Sequence, residues 1–358
     1  AQEIVSATIP TNSLTRVKLF IGIIALTVIT ACNTKQLAPQ LPALSINPSE
    51  ISVSGLSSGG FMAVQVHVAH SATFKRGAGI VAGGPFYCSE GSFENAIGRC
   101  MTHGSGIPVQ TLVNLTNEWA SDNLIDPVSN LRASRIYLFS GTEDKTVRPV
   151  VMNDLQTYYR NFVPAENTFY KNTVPSGHAM ITDEFGGNCA TTAAPFINNC
   201  DFDLAGEMLK HLHGNLNARN NGTLSGSLTE FDQTVFVSGH GMAKTGWVFV
   251  PQACAAGATT CKLHVVFHGC RQNTATLDDL FVRNAGYNRW ADTNNIVVLY
   301  PQTGNSSPNG CWDWWGYDSA KFAQKSGPQI MSVKAMVARL SGNAVATTAT
   351  PPVSRGEK

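Results

Sequence analysis

Along the chain, short apolar runs alternate with longer stretches in which apolar residues recur every three or four positions. Ile51-Ser52-Val53-Ser54 is a run of β type, and further strands are predicted at Gly79–Ala82, Ile136–Ser140, Thr168–Lys171, Trp247–Val250, His264–Phe267 and Ile296–Tyr300. Helical patterns fall between them, at Gly60–Ala69 and near Val150–Phe162, Leu204–Leu212, Leu277–Asp292 and Ile330–Leu340. Strands alternating with helices predict an α/β fold: a mainly parallel sheet with helices on both faces. No internal repeat interrupts the pattern. Residues 46–341 are long enough to fill one core, so they are read as one catalytic domain.

The two ends break the alternation. Arg16 and Lys18 precede an apolar run from Leu19 to Ile29 that closes on Ile29-Thr30-Ala31-Cys32. This is the layout of an export signal over residues 1–32, too short to span a bilayer as a stable helix. Small residues directly before a Cys resemble the lipobox of bacterial lipoproteins, in which that Cys is acylated, so Cys32 is expected to be a lipid anchor to a membrane. Residues 33–45, rich in Pro, Gln, Leu and Ala, read as a linker. Residues 342–358, rich in Ala, Thr and Pro, read as a disordered tail.

Charge and cysteine usage narrow the class. With 25 Lys and Arg against 24 Asp and Glu the formal net charge is +1, which offers no electrostatic footprint for nucleic acid and points to a neutral substrate. Setting Cys32 apart leaves eight cysteines, an even set that suggests disulfides in an oxidising compartment. Proximity suggests Cys88 with Cys100, Cys189 with Cys200, Cys254 with Cys261 and, at longer range, Cys270 with Cys311. No C-x-x-C pair or Cys/His cluster at ligand spacing occurs, so no metal is expected.

The strongest local signal is Gly55-Leu56-Ser57-Ser58-Gly59, a G-x-S-x-G followed by Gly60 between a predicted strand and a predicted helix. Such a turn presents a nucleophilic serine, Ser57, and the next N–H, that of Ser58, toward one point. Ser58 is the rival nucleophile but is not the central residue. A serine needs a base and a group that orients the base. Asp144 follows the predicted strand at 136–140 in a Gly-containing loop, with Glu143 as competitor. His178 follows the strand at 168–171 in Pro175-Ser176-Gly177-His178, a loop of small residues. The other histidines are placed less well, on helices or in loops without a preceding strand.

A second oxyanion donor is expected from a strand-to-loop segment that often begins His-Gly. The matching segment, Leu263 to Phe267 running into His268-Gly269-Cys270, lies far downstream of the serine. The order becomes that of an α/β-hydrolase only when the sequence is read as a circle, from Lys262 through the 330–340 helix and back to Ile46. Domain termini are often close together, which makes such a permutation physically tolerable.

Taken together, Gly55-Leu56-Ser57-Ser58-Gly59-Gly60, the Gly141–Asp144 loop, Ser176-Gly177-His178, Gly241-Met242, His268-Gly269-Cys270 and Cys311-Trp312-Asp313-Trp314-Trp315 resemble the poly(3-hydroxybutyrate) depolymerases. The resemblance spans about residues 46–341 and is to their single-domain, circularly permuted type. It implies an α/β-hydrolase fold and an exported serine esterase acting on a polyester or its oligomers, without cofactor and without an obligate protein partner. It further implies Ser57, Asp144 and His178 as the triad and Ser58 and Cys270 as oxyanion donors. Trp312, Trp314, Trp315 and His268 would be the substrate contacts. Related scaffolds leave feruloyl or acetyl-xylan esters, or other aliphatic polyesters, as alternative substrates, and a non-catalytic lipid-anchored binding protein as an alternative of another class.

Overall fold

The computed structural model describes residues 38–342. The export signal, Cys32, the first part of the linker and all but the first residue of the C-terminal tail lie outside the described residues. Among the described residues no helix is long and apolar enough to cross a membrane.

The strands in chain order are β1 (Ile46–Leu56), β2 (Gly77–Val81), β3 (Arg135–Phe139), β4 (Thr168–Lys171), β5 (Met180–Thr182), β6 (Gly187–Asn188), β7 (Ile197–Asn199), β8 (Ser227–Asp232), β9 (Thr245–Val250), β10 (Cys261–Phe267) and β11 (Ile296–Tyr300). Eight of them form one sheet in the order β4-β3-β2-β1-β10-β11-β9-β8, and β5, β7 and β6 form a small second sheet. The pairings from β4 across to β11 are parallel, and the β11–β9 and β9–β8 pairings are antiparallel. The strand that leads into Ser57, β1, therefore sits at the centre. Its neighbour on one side, β10, arrives about two hundred residues later in the chain.

Successive side chains of a strand face opposite sides of the sheet, and the two sides carry separate apolar cores. On one side Val53, Ile136, Leu138, Leu263 and Val265 pack against the helices Ser58–Ala69, Pro149–Tyr159 and Pro328–Leu340. On the other, Tyr137, Phe139, Val266 and Val298 pack against the helices Leu204–His213 and Tyr287–Asn294. A strand buried on both faces shows a continuous apolar run, as β11 does with Ile296-Val297-Val298-Leu299-Tyr300.

Two expectations are corrected. The helix read over Leu277–Asp292 is three short ones, Thr274–Leu277, Leu280–Asn284 and Tyr287–Asn294, because positive φ at Asp278 (50°) and Gly286 (92°) takes the backbone out of the right-handed helix. Residues 39–44, read as linker, lie against the fold: Leu41 is fully buried, and the Leu44 N–H donates to the Leu340 carbonyl at 2.8 Å. Their apolar residues, Leu41 and Leu44, cover the end of the C-terminal helix. That contact also brings the two ends of the described domain side by side. The helix Val109–Ser121, the edge strand β8 and the small sheet were not anticipated.

Four disulfides tie down loops: Cys88–Cys100, Cys189–Cys200, Cys254–Cys261 and Cys270–Cys311.

Candidate active site

The turn after β1 is dictated by close approach. A side chain at Gly55 would place its Cβ 2.1 Å from the Gly59 carbonyl oxygen, and one at Gly59 would lie 2.4 Å from the carbonyls of Phe267 and His268. Only glycine lets the β1 turn and the helix it enters press onto β10. Ser57, between them, is held at φ 58° and ψ −123°, a conformation costly for a residue with a Cβ and fixed by its surroundings. Its N–H donates to Val81 O at 2.9 Å, and its carbonyl accepts from the Phe61 N–H at 2.9 Å.

Ser57 lines a cavity of about 570 Å³ at the C-terminal ends of the parallel strands, the side where ligands of α/β sheets bind. His178 lines the same cavity. Its Nδ1 donates to Asp144 Oδ2 at 2.7 Å, leaving Nε2 as the ring nitrogen not engaged by the carboxylate. The Asp144 carboxylate is almost wholly buried and accepts twice more at Oδ1, from the N–H groups of Thr146 (2.9 Å) and Val147 (3.0 Å). That set of donors orients it and keeps it satisfied away from water. The competitor Glu143 is exposed. Close packing locks the acid and histidine loops together, since a Cβ at Gly141 would lie 2.1 Å from the Ser176 carbonyl oxygen.

Three other histidines also meet carboxylates: His103 with Asp154, His213 with Glu50 and His240 with Asp318. None of the three lines the cavity. His67 and His70 are buried, and burial lowers them to about 3 and about 4. Only His178 combines a carboxylate partner with access to the space above Ser57.

Two N–H groups flank that space. Ser58 opens the helix Ser58–Ala69, so its N–H has no intrahelical acceptor. The Cys270 N–H, on the loop after β10, has no hydrogen-bond partner among the described residues, and Cys270 lines the cavity. The rival nucleophile, the Ser58 hydroxyl, is buried without a partner and is not on the cavity wall.

The aromatic cluster divides. Trp314 and Trp315 line the cavity, Trp314 stacked on Phe61 with ring centroids 4.1 Å apart and Trp315 against Phe93 at 5.8 Å. Trp312 and His268 do not line it, which corrects their expected role as substrate contacts. Both are fully buried, the Trp312 Nε1–H donates to the His268 carbonyl at 3.0 Å, and burial lowers the His268 imidazole to about 4. They are the packed floor beneath the Gly269-Cys270 loop. Asp313 shapes the turn that presents the other two indoles, accepting from the N–H groups of Gly316, Tyr317, Asp318 and Ser319, while its burial raises the carboxyl above its usual range.

Several supporting residues escaped the sequence reading. Thr192 Oγ1 accepts the His178 N–H at 2.9 Å. Gln272 clamps the loop, with Oε1 accepting from Gly269 N–H at 2.8 Å and Nε2 donating to the carbonyls of Pro195 and Phe196. Phe93, Ile97 and Phe196 complete the apolar wall. Phe61 was legible in principle, standing one helical turn after the serine. Thr192, Phe196 and Gln272 come from loops, and Phe93 and Ile97 from helical turns too short for a periodicity to mark them.

Among the described residues no cluster of His, Cys, Asp or Glu is arranged to hold a metal. The chain nonetheless has close relatives of known name. A family model described as "Esterase PHB depolymerase" matches residues 247–351. A poly(3-hydroxybutyrate) depolymerase of Delftia acidovorans is 60% identical over 319 residues, which is 88% of this chain and 65% of the relative; the chain thus spans just under two thirds of that enzyme's length. A polyhydroxybutyrate depolymerase of Talaromyces funiculosus is 42% identical over 319 residues, 85% of this chain and 93% of the relative. Two solved structures each superpose with a TM-score of 0.80 at 40% identity, covering 85% of this chain and 99% of theirs: the PHB depolymerase from Penicillium funiculosum, and a serine-to-alanine variant of a PHB depolymerase complexed with an R3HB trimer.

Proposed function

The chain belongs to the poly(3-hydroxybutyrate) depolymerase family, and from that premise we propose that it hydrolyses the ester bonds of poly(3-hydroxybutyrate) and its oligomers through an acyl-enzyme on Ser57. One observation carries the reading: a buried, fully satisfied carboxylate holds the Nδ1 of the one histidine that shares an apolar cavity with an elbow serine. His178 Nε2 takes the Ser57 proton as Oγ attacks the ester carbonyl, and Asp144 fixes the tautomer and stabilises the imidazolium. The Ser58 and Cys270 N–H groups hold the oxyanion. Collapse passes the proton from His178 to the leaving alkoxide, and water, activated by the same imidazole, then releases the acid. No step draws on a cofactor. Trp314 and Trp315, with Phe61 and Phe93, supply the apolar wall against which the methyl-bearing polyester backbone packs.

The sheet order supports a circularly permuted hydrolase. β10 and its oxyanion loop take the place of an early strand, and the adjacent ends at Leu44 and Leu340 are where an unpermuted chain would run through. The four disulfides fit a protein folded in an oxidising compartment outside the cytoplasm. An acylated Cys32 would tether it there; metabolic labelling with a fatty acid is expected to mark the protein but not its Cys32→Ser variant, and an unlabelled parent would remove the anchor from the reading. The catalytic reading is tested by incubating the protein and its Ser57→Ala variant with polymer film, 3-hydroxybutyrate oligomers and a feruloylated sugar, with products identified by mass. Release of 3-hydroxybutyrate units by the parent alone is expected. Retained release by the variant would overturn the nucleophile, and turnover of the sugar alone would overturn the substrate.

A further inference from the structure

The cavity wall is mostly apolar, with a permanent charge at one place. Of the residues lining it, Arg271 alone carries a permanent charge, and neither Asp nor Glu is among them. Arg271 forms no ion pair among the described residues; its one side-chain hydrogen bond is from Nη2 to Asn309 Oδ1 at 3.4 Å, and Asn309 lines the cavity too. The backbone at this residue is pinned. Arg271 stands at φ 60°, with its N–H donating to the Asn309 carbonyl at 2.8 Å, immediately after Cys270 and its bridge to Cys311. An exposed cation without a partner is ordinary on a surface, whereas here it borders an apolar cavity one residue from an oxyanion donor.

Resting on the ester-hydrolase reading above, we propose that Arg271 is a specificity residue that binds the free terminal carboxylate of an oligo(3-hydroxyalkanoate). The chemistry of the substrate fixes which half it reads. In such an oligomer the acyl carbon attacked by Ser57 belongs to the hydroxyl-terminal part, and the alkoxy oxygen that leaves belongs to the part ending in the free carboxylate. The Ser57 Oγ–carbon bond forms, the carbon–alkoxy bond breaks, and the Ser57 proton passes through His178 to the departing alkoxide. The terminal carboxylate therefore travels with the leaving group, and a guanidinium presents the paired donors that a carboxylate accepts. Arg271 acts on acylation only, because the acyl-enzyme left behind is the same whatever the leaving group carried.

The test compares kcat/KM for the 3-hydroxybutyrate trimer as free acid and as methyl ester, at neutral pH where the acid is ionised. The wild-type protein is expected to prefer the free acid about fivefold at low ionic strength, the range of a solvent-accessible ion pair, and the preference is expected to shrink as salt is added. Arg271→Gln is expected to abolish the preference and Arg271→Lys to keep part of it. A merely structural role would slow both substrates alike and leave their ratio unchanged. Equal turnover of acid and ester by the wild type, or a preference that survives Arg271→Gln, overturns the proposal; should the variant not fold, the wild-type ratio and its salt dependence decide alone. If the wild type cleaves neither trimer, it is the ester-hydrolase reading that has failed.

Discussion

The described residues contain two carboxylate–histidine–serine series, and only one of them is open to a substrate. In the first, Asp144 holds His178 at the rim of the cavity that also exposes Ser57. In the second, Glu50 Oε2 lies 3.2 Å from His213 Nδ1, and His213 Nε2 lies 2.9 Å from the Ser52 hydroxyl. The residue types match, and both serines belong to β1 or the turn it leads into. The difference is position. Ser52 stands in regular strand, fully buried, and its oxygen is also 2.7 Å from His264 Nδ1; His264 Nε2 in turn meets Ser54, which meets Tyr287. Every hydroxyl and imidazole nitrogen along that chain is engaged by another group, so it ties β1 and β10 to the helices on one face of the sheet. A nucleophile needs the opposite: a strained turn at a strand end, an acceptor nitrogen not yet engaged, and a space above it.

The sharpest way to break the comparison is to neutralise each carboxylate in turn. Asp144→Asn is expected to lower kcat on a soluble ester by about 10⁴-fold, because the amide no longer enforces the Nε2-acceptor tautomer, while Glu50→Gln is expected to leave turnover within about twofold, as for groups that never meet the transition state. Equal losses in steady-state assays would mean that the two series are coupled.

A smaller effect separates them by pH. Burial, the leading cause, holds His213 and His264 below their ordinary value, and does the same for His67 and His268 at about 3 and about 4. Below about pH 6.5 the unfolded chain binds protons on these rings that the folded protein refuses, so stability is expected to fall from pH 6.5 toward pH 4. A ring lowered as far as His268 contributes up to about 3 kcal/mol of that loss. Asp313, raised by burial, works the other way, since its stabilising contribution is greatest at low pH. Urea midpoints at pH 7.5 and pH 5 measure the fall, and His264→Asn is expected to reduce it; an unchanged slope would remove the buried series from the acid response. The smallest effect is that of Ser52→Ala, expected to cost about 1–2 kcal/mol in chemical unfolding through imidazole nitrogens left unsatisfied, with kcat unaltered.

Much of this architecture was readable from local pattern. The strands at 136–140 and 296–300 announce themselves by continuous apolar runs, because a strand covered on both faces has no polar side to alternate. The G-x-S-x-G turn is legible as a motif, although Gly55 answers a steric demand four residues away at Gly59 and Gly59 one from β10, and Cys88–Cys100, Cys189–Cys200 and Cys254–Cys261 are near in space because they are near in sequence. The same reasoning failed over 277–292, where positive φ at Asp278 and Gly286 cuts an apolar pattern that looks continuous. It also failed over 39–44, whose buried leucine is invisible until the C-terminal helix is beside it.

The sequence by itself determined the chemistry available at each position: a serine in a turn that only glycines permit, an acid and a histidine each placed just after a strand, and a chain rich enough in apolar runs to wrap a sheet on both faces. Only the tertiary structure decided which of these groups share a space. Exposure to one cavity is a property of loops far apart in the chain, and it separates Trp314 and Trp315 from Trp312, His178 from His213, and Ser57 from Ser52 and Ser58, none of which differ in the chemistry their side chains carry.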